Sequence, residues 1–459
     1  MSFEINKFFS KILAIIIFLF SSFFIFYIYY RNKYFYTGEG ILNVNIYYFL
    51  GLIGIFISLL VLFLPNKISK SLTIIGFISI LAIYILEYSI NFINFKDSKR
   101  IYLAKKNGVI YDTRTITEVV KDLKKKTNKK VSIAYPASGY IPPNGIKIQN
   151  KYINPLSGIS DSLTVVCNES GKWSTYLSDR YGFNNPDYIW DKKNIDIILI
   201  GDSYVHGDCV KPKNNISGNL RNITGKNVLN LAFRGNSPYS QYATLKEYAI
   251  KKNPKNIFWF FSEENDLEDI SRDKNKKILT DYLKNDDHHQ NLENKQYLID
   301  KALQNLYIKI NFTKNVKLQN IRKFFLERLI IRLFYKDSIE KQENEYKQGK
   351  KRVYLVNEKN FQAYSEIIQK VNYITKEKNI NLNLVYMPSW ERYINTDYTQ
   401  LIKKFHKLTD KLDINFINLD EDLFNIKKDP LIHFPFKINS HYNEETYKDI
   451  SKILVKYIN

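Results

Sequence analysis

Cysteine is scarce in this chain, which has two cysteines, Cys167 and Cys209, in 459 residues. Two thiols cannot build a structural zinc site with four ligands unless histidine contributes, and no zinc-finger spacing is present. The pair can form one disulfide, which would imply an oxidising compartment, or it can remain as two separate buried thiols. The sequence leaves both possibilities open. It predicts no metal site and no cofactor.

Acidic residues are also few relative to basic ones. The chain has 68 Lys and Arg against 46 Asp and Glu, a formal net charge of +22. Such an excess can attract nucleic acid, anionic lipid or acidic substrates. The basic residues are scattered among Asn, Ile and Tyr, and no nucleic-acid-binding module is recognisable, so we predict no specific nucleic-acid partner.

Charged side chains are missing from long runs near the amino end. The run ILAIIIFLFSSFFIFYIYY is long enough as a helix to cross a hydrocarbon core of about 30 Å. It has no small-residue cleavage site, which favours a retained anchor over a removed signal peptide. We predict a transmembrane region over 1–95 with about three helices, at 12–30, 42–64 and 71–93. The third is interrupted by Glu87. Membrane lipid is thus a predicted partner, and the carboxyl part is predicted on the extracytoplasmic side of a multi-pass protein.

The remainder of the chain, 96–459, alternates short β-rich runs with polar helical stretches, which indicates an α/β domain with a parallel sheet. The runs are continuously apolar, as expected of strands covered on both faces. They are DIILIG (196–201), NVLNLAF (227–233), NIFWFF (256–261), LNLVYM (382–387) and INFINL (414–419).

A basic, helical insertion is predicted at about 271–359, between the third and fourth of these runs. Within it, the segment QNIRKFFLERLIIRLFYK predicts an amphipathic helix. Such a helix can lie on anionic lipid, or it can pack on the catalytic domain as a cap.

Polar residues follow the predicted strands, where the carboxyl ends of parallel strands meet. Ser203 follows the first strand, Gly235 the second and Asn265 the third, and His441 follows the last. A serine hydroxyl is a weak nucleophile and needs a base and donors for the oxyanion. We therefore predict Ser203 as nucleophile and His441 as general base. The N–H groups of Ser203 and Gly235 and the side-chain amide of Asn265 form the predicted oxyanion hole.

These residues resemble the four blocks of the SGNH, or GDSL-type, hydrolases, which supply Ser, Gly, Asn and His in this order. The matching segments are IGDSYVHG with Ser203, FRGNSP with Gly235, SEENDL with Asn265 and INSHYN with His441. The resemblance implies a three-layer α/β/α, flavodoxin-like domain, here in a membrane-anchored protein.

The function that the resemblance implies is a serine esterase that cleaves O-acyl esters through an acyl-serine intermediate. Its expected substrate is an acylated small molecule or carbohydrate, such as an O-acetylated cell-envelope carbohydrate. The alternatives are an O-acyltransferase that uses the same serine and an inactive, membrane-tethered binding domain.

The chain departs from the family pattern at two places. Glu263 stands where block three usually has glycine, and Ile438 and Asn439 stand where the family places an Asp before the histidine. We therefore expect Asn439 or a backbone carbonyl to fix the tautomer of the histidine. Asp202 and Asp266 are further candidates for support.

The segment 167–190, before the first block, is predicted to be an ordered loop beside the site or a surface β-hairpin. A bridge between Cys167 and Cys209 could pin it against the nucleophile turn. His206 is expected to line the pocket. His288 and His289 are expected in a solvated loop, because no partners at ligand spacing accompany them.

Overall fold

The computed structural model describes the chain in several stretches. They are residues 11–12, 14–26, 29, 44–65, 68, 71, 95–136, 140–148, 151–315 and 351–458. The described residues up to Phe95 belong to one compact unit, and those from Lys96 onwards belong to another.

The amino-terminal unit is helical where it is described. Residues 14–26 are helical, and helix α1 spans Val44–Phe63. Large apolar side chains of α1, among them Leu52, Phe56 and Phe63, are exposed. Within the described part of the chain, no helix combines the length and the hydropathy of a membrane crossing. The crossings at 12–30 and 42–64 stay predictions, and nearly all of the third, 71–93, lies outside the described residues.

The second unit, together with Phe95 at the start of its first helix, contains most of the secondary structure. Its helices are α2 (Phe95–Lys106), α3 (Ile116–Lys126), α4 (Ser203–His206), α5 (Ile216–Thr224), α6 (Pro238–Thr244), α7 (Asp266–Asp273), α8 (Lys277–Lys284), α9 (Gln296–Asn315), α10 (Glu358–Glu377), α11 (Trp390–Ile394), α12 (Thr399–Leu412) and α13 (Glu444–Val455). Its strands are β1 (Val131–Ile133), β2 (Ile146–Ile148), β3 (Lys151–Ile153), β4 (Leu163–Val165), β5 (Thr175–Leu177), β6 (Ile197–Ile200), β7 (Val228–Asn230), β8 (Asn256–Ser262), β9 (Arg352–Val353), β10 (Asn381–Met387), β11 (Thr396–Asp397) and β12 (Asn415–Asn418).

Five of these strands form the central sheet, in the order β12-β10-β8-β6-β7, and every pair in it is parallel. They are the five strands that the apolar runs predict, so the prediction of an α/β fold with a parallel sheet is confirmed. Counted along the chain, the spatial order is 2-1-3-4-5, the order of flavodoxin-like sheets. In register, Trp259 of β8 lies between Ile200 of β6 and Leu384 of β10.

Both faces of the sheet are covered, which explains why its strands lack polar alternation. Ile198, Ile200 and Trp259 belong to one core cluster, together with apolar residues of α6, α7, α10 and α12. Leu199 and Phe258 belong to the other, together with residues of α5 and α13. Each fully buried side chain of this size contributes about 1.5–3 kcal/mol. The domain is therefore built in three layers.

The arrangement of helices on the two faces of the sheet determines where a crevice forms. The connection from β6 to β7 runs through α5 on one face, and that from β7 to β8 runs through α6 on the other. Because the chain leaves the neighbouring strands β6 and β8 in opposite directions, a crevice opens beyond their carboxyl ends.

A smaller sheet precedes the central one and has the order β1-β4-β5. Strands β4 and β5 are antiparallel, so segment 167–190 begins as the tip of a β-hairpin, which was one of its two predicted forms. In the predicted insertion, α8 and α9 are helical. The predicted amphipathic helix at 319–336 lies outside the described residues.

Candidate functional site: a Ser-His-Glu arrangement

The turn after β6 carries Ser203, which is the first residue of the short helix α4. A Cβ on Gly201 would lie 2.6 Å from the Val205 side chain, so this tight approach requires glycine. Asp202 caps the helix, and its carboxylate accepts a hydrogen bond from the N–H of Tyr204 at 3.0 Å. The N–H of Ser203, at the first helical position, has no partner within the helix.

His441 lies beside the serine in the fold. Its Nε2 lies 2.9 Å from the Ser203 Oγ, although 238 residues separate them along the chain. The imidazole packs against the Tyr204 ring, with centroids 4.8 Å apart. The next residue, Tyr442, is buried and donates its hydroxyl to the Pro388 carbonyl at 2.5 Å. These contacts place the imidazole over the nucleophile turn.

The partner of the imidazole on its other side is Glu169. Its carboxylate accepts from the backbone N–H of His441 at 2.8 Å and lies 3.1 Å from Nδ1 through the same oxygen. An ionised carboxylate only accepts hydrogen bonds, so Nδ1 must carry a proton in this contact. In the neutral imidazole Nε2 is then the lone-pair nitrogen, and it faces the serine.

This arrangement corrects the expectation for Asn439. The side-chain amide of Asn439 donates to Glu391 at 2.6 Å, and the backbone carbonyl of Asn439 accepts from Arg100 at 3.0 Å. Asn439 therefore helps to fix the loop before His441, whereas a carboxylate from a distant hairpin orients the ring.

The hairpin tip that carries Glu169 is held from two sides. Cys167 forms a disulfide with Cys209, which lies in the turn after α4. Asn168 accepts from the N–H of Gly171 at 2.9 Å, and its amide donates to the Asp112 carbonyl at 2.9 Å. The bridge, which was one of the two possibilities that the sequence left open, thus links the segment that carries the acid to the segment that carries the nucleophile.

The charges around the imidazole shift its titration. Burial alone would lower the pKa of His441, but the Glu169 carboxylate, assisted by Asp208, raises it to about 9. Burial opposes ionisation of Glu169 in turn, yet His441 and Arg100 hold the pKa of that carboxyl below its ordinary value. Arg100 Nη2 lies 3.8 Å from Glu169. The imidazolium form is therefore strongly favoured at neutral pH.

Asp208 is a second carboxylate near the imidazole. It is fully buried, and its Oδ2 lies 3.9 Å from Nε2 of His441. It pairs with the Arg234 guanidinium and bonds to Nδ1 of His206 at 2.8 Å. Burial disfavours its charge, but Arg234 and then His206 lower the pKa of Asp208 to about 2.

His206 does not line a pocket, contrary to the expectation. It is fully buried, its ring lies between those of Tyr176 and Phe233, and its Nδ1 contacts Asp208. The short helix α4 turns this side chain inwards, away from solvent. His206 therefore supports the site through Asp208.

The two remaining oxyanion candidates follow β7 and β8. Gly235 has a φ of +68°, a conformation that favours glycine, and its carbonyl accepts from Arg272 at 3.3 Å. Asn265 precedes α7, and its amide nitrogen donates to Asp269 at 3.1 Å. Because β7 and β8 both pair in parallel with β6, both residues lie at the same end of the sheet as Ser203.

Asp202 and Asp266 stabilise the turns of the site, and each bonds to backbone. Asp266 accepts from the N–H of Ser262 at 2.8 Å and from the Gln241 amide at 3.2 Å. Burial raises the pKa of Asp202 to about 7, and burial together with the neighbouring Asp202 raises the pKa of Asp266.

Glu263, which stands where the resembled family has glycine, lies in a buried polar network. It pairs with the Arg392 guanidinium and accepts from the N–H and hydroxyl of Ser389, at 2.9 and 3.0 Å. Arg392 also contacts Asp420 at 3.2 Å. The turn before Asn265 is thereby tied to the loop after β10, a constraint that glycine could not provide.

Three groups with ligand atoms, on Glu169, Cys209 and His441, lie together in this site. The sulfur of Cys209 is in the disulfide, so it is not available as the thiolate that a metal requires. The other two form the acid and base pair described above.

Two adjacent histidines outside the site lie in the loop after α8. His289 is partly exposed and lies 3.8 Å from Glu247, while the ring of His288 packs on Tyr282.

Sequence reasoning missed Glu169, although two signals pointed to it. The usual Asp before His441 is absent, so another carboxylate was needed. Glu169 is the one acidic residue between Cys167 and Asp179, in the segment that the disulfide would pin to the nucleophile turn.

Comparisons with known proteins add the following. No protein-family model matches the chain, and no curated protein matches it significantly. Among solved structures, it is similar to a putative lipolytic protein of the G-D-S-L family from Desulfitobacterium hafniense, with 10% identity over 57% of this chain and 99% of that chain and a TM-score of 0.30. It is also similar to an acetyl xylan esterase, with 12% identity over 58% of this chain and 100% of that chain and a TM-score of 0.30.

Proposed function

We propose that the chain is a serine ester hydrolase that cleaves O-acyl esters through an acyl-serine intermediate. The observation that carries the proposal is the continuous chain of contacts from Glu169 through His441 to the Ser203 Oγ. A nucleophile, a base within hydrogen-bond reach and a carboxylate that orients the base are the groups that acyl transfer through serine requires.

In the proposed first half-reaction, Nε2 of His441 takes the proton of Ser203 while the Oγ attacks the carbonyl carbon of the ester. The carbonyl oxygen becomes an oxyanion, which in this proposal accepts hydrogen bonds from the N–H groups of Ser203 and Gly235 and from the Asn265 amide. When the bond to the alcohol breaks, the imidazolium donates its proton to the leaving oxygen.

In the second half-reaction, His441 takes a proton from water, the resulting hydroxide attacks the acyl-serine, and Ser203 regains a proton as the acid leaves. Glu169 stays ionised throughout and stabilises the imidazolium. An inactive binding domain is disfavoured because it would have no need to keep a buried, bonded carboxylate at Nδ1.

The substrate and the location remain part of the proposal. O-acyl, and in particular O-acetyl, esters of cell-envelope carbohydrate suit a membrane-anchored enzyme that acts outside the cytoplasm, and the apolar runs at 12–30, 42–64 and 71–93 are the proposed anchor. The Cys167–Cys209 disulfide supports an oxidising compartment. A carbohydrate hydroxyl that replaces water in the second half-reaction would make the same site an acyltransferase.

The proposal is tested by assaying the full chain in detergent with 4-nitrophenyl acetate and 4-nitrophenyl butyrate, alongside Ser203→Ala. We expect turnover by the wild type and none above the uncatalysed rate by the variant. Product analysis with a sugar acceptor separates free acid from acylated sugar. Equal rates for wild type and Ser203→Ala would contradict the proposal.

A further inference from the structure

Arg272 lies in the last turn of α7 and connects two parts of the candidate site. Its Nη1 contacts Asp269 Oδ1 at 2.5 Å, and its Nη2 donates to the Gly235 carbonyl at 3.3 Å. Its Nε lies 3.6 Å from Asp273, which accepts the Ser237 hydroxyl at 2.7 Å. One guanidinium therefore links α7 to the turn after β7.

Asp269 connects Arg272 to Asn265, because its carboxylate contacts both side chains. One carboxylate oxygen of Asp269 contacts Arg272, and the other accepts from the Asn265 amide nitrogen at 3.1 Å. Because a carboxylate only accepts, the nitrogen of the amide must face Asp269, which fixes the amide plane. The amide has two N–H groups, so one remains to be donated to an oxyanion.

The turn at Gly235 needs a similar anchor. Its φ of +68° lies in a region where glycine has wide conformational freedom. The bond from Arg272 to the Gly235 carbonyl restricts that freedom on the carbonyl side, close to the N–H group that the proposed mechanism uses.

From these contacts we infer that Arg272 is a positioning residue that holds the two oxyanion donors outside α4, the Gly235 N–H and the Asn265 amide, in a common geometry. The inference rests on the proposed function. Oxyanion donors act best when they are aimed in advance at the developing charge, and an anchor that contacts the supports of both donors serves that need. A planar guanidinium with several donors can bridge a carboxylate and a carbonyl, whereas an ammonium is a single point charge.

The exposure of Arg272 makes the test practicable. Its side chain is 37% exposed, whereas its partners Asp269 and Asp273 are buried, with 8% and 1% of their side chains exposed. Arg272→Ala removes a cation from two buried carboxylates and should lower the melting temperature, whereas Arg272→Lys keeps a positive charge beside them and should fold. A control for the loss of an arginine of similar exposure is Arg180, whose side chain is 35% exposed and contacts two exposed carboxylates, those of Asp187 and Asp191.

The experiment compares Arg272→Lys, Arg272→Ala and Arg180→Ala in the full chain with 4-nitrophenyl acetate. Loss of one oxyanion donor costs about 10²–10³ in kcat, so a loosened pair should cost about 10- to 100-fold. We expect this loss in both Arg272 variants, with KM unchanged because the lost interaction belongs to the transition state. The pH midpoint of kcat/KM, which is set by His441, should stay in place, and guanidinium ion should partly restore Arg272→Ala. Arg180→Ala should behave as wild type.

The outcomes separate the inference from the function on which it rests. A kcat for Arg272→Ala equal to that of Arg180→Ala, in an active wild type, would overturn the inference and leave the hydrolase intact. A parallel loss of kcat and melting temperature without rescue by guanidinium would show a structural role only and would also overturn it. A wild type that turns over no ester, with Ser203 unreactive, would remove the proposed function and the inference with it.

Discussion

Glu169→Gln is the most informative single substitution, because it removes a charge and keeps the shape of the side chain. The carboxylate lies 3.1 Å from Nδ1 of His441. At an effective dielectric constant of about 20, two unit charges at this distance attract by about 5 kcal/mol, which is an upper limit for the stabilisation of the imidazolium. We expect the limiting kcat/KM to fall by about 10²- to 10⁴-fold, or about 3–5 kcal/mol in activation free energy.

The same substitution should also change the pH dependence of kcat/KM by lowering the pH at its midpoint. Only the neutral imidazole can accept the Ser203 proton, so the wild-type kcat/KM should rise with pH towards a plateau, with a midpoint near the His441 pKa of about 9. Without Glu169, burial lowers the pKa of His441 and its main opposing charge is gone, so the midpoint should move to lower pH. The variant therefore has a lower plateau that it reaches earlier.

The assay is the initial rate of 4-nitrophenyl acetate hydrolysis between pH 5 and pH 10, with stability checked at each pH. Glu169→Asp is the matched control, since it keeps the charge on a shorter side chain and should keep the midpoint high. A Glu169→Gln plateau within about twofold of wild type, or a midpoint that does not fall, would refute the assigned role.

Two further predictions concern the disulfide and stability. Replacing Cys167 and Cys209 by serine should lower the free energy of unfolding, measured by urea denaturation, by up to about 4 kcal/mol on the chain-entropy model for a 42-residue separation. The replacement should also lower kcat for ester turnover, because the segment that carries Glu169 is released. An unchanged kcat would contradict this second effect. Because the pKa of His441 is about 9 in the fold and about 6.5 in the unfolded chain, its protonation should stabilise the fold fully below about pH 6.5. This contribution should disappear as the pH rises through about 9. Urea midpoints measured across this window should therefore fall with pH less steeply in Glu169→Gln than in wild type.

The local pattern of apolar residues was sufficient to predict the strands of the central sheet. Runs such as NIFWFF are continuously apolar because β8 is buried on both faces, and this covering also forces helices onto both sides. Because the carboxyl ends of parallel strands share one edge of the sheet, Ser203 and His441 could then be predicted to lie close together. The antiparallel hairpin β4–β5 was harder, because its strands have three residues each and leave little periodicity to read.

The acid of the site could not be obtained in the same way. Glu169 and His441 are 272 residues apart, and no strand of the central sheet positions the glutamate. The contact depends on a hairpin held by the disulfide and by Asn168, that is, on tertiary packing. Likewise, the replacement of glycine by Glu263 became understandable only when Arg392, more than a hundred residues away, was seen to pair with it.

Covalent labelling with a fluorophosphonate, followed by peptide mass spectrometry, tests whether Ser203 is an activated nucleophile. The prediction is one adduct, on Ser203, whose formation rate rises with pH through a midpoint near pH 9 and drops sharply in His441→Ala. A folded wild type that acquires no adduct at Ser203, or a His441→Ala variant that labels as fast as wild type, would contradict it.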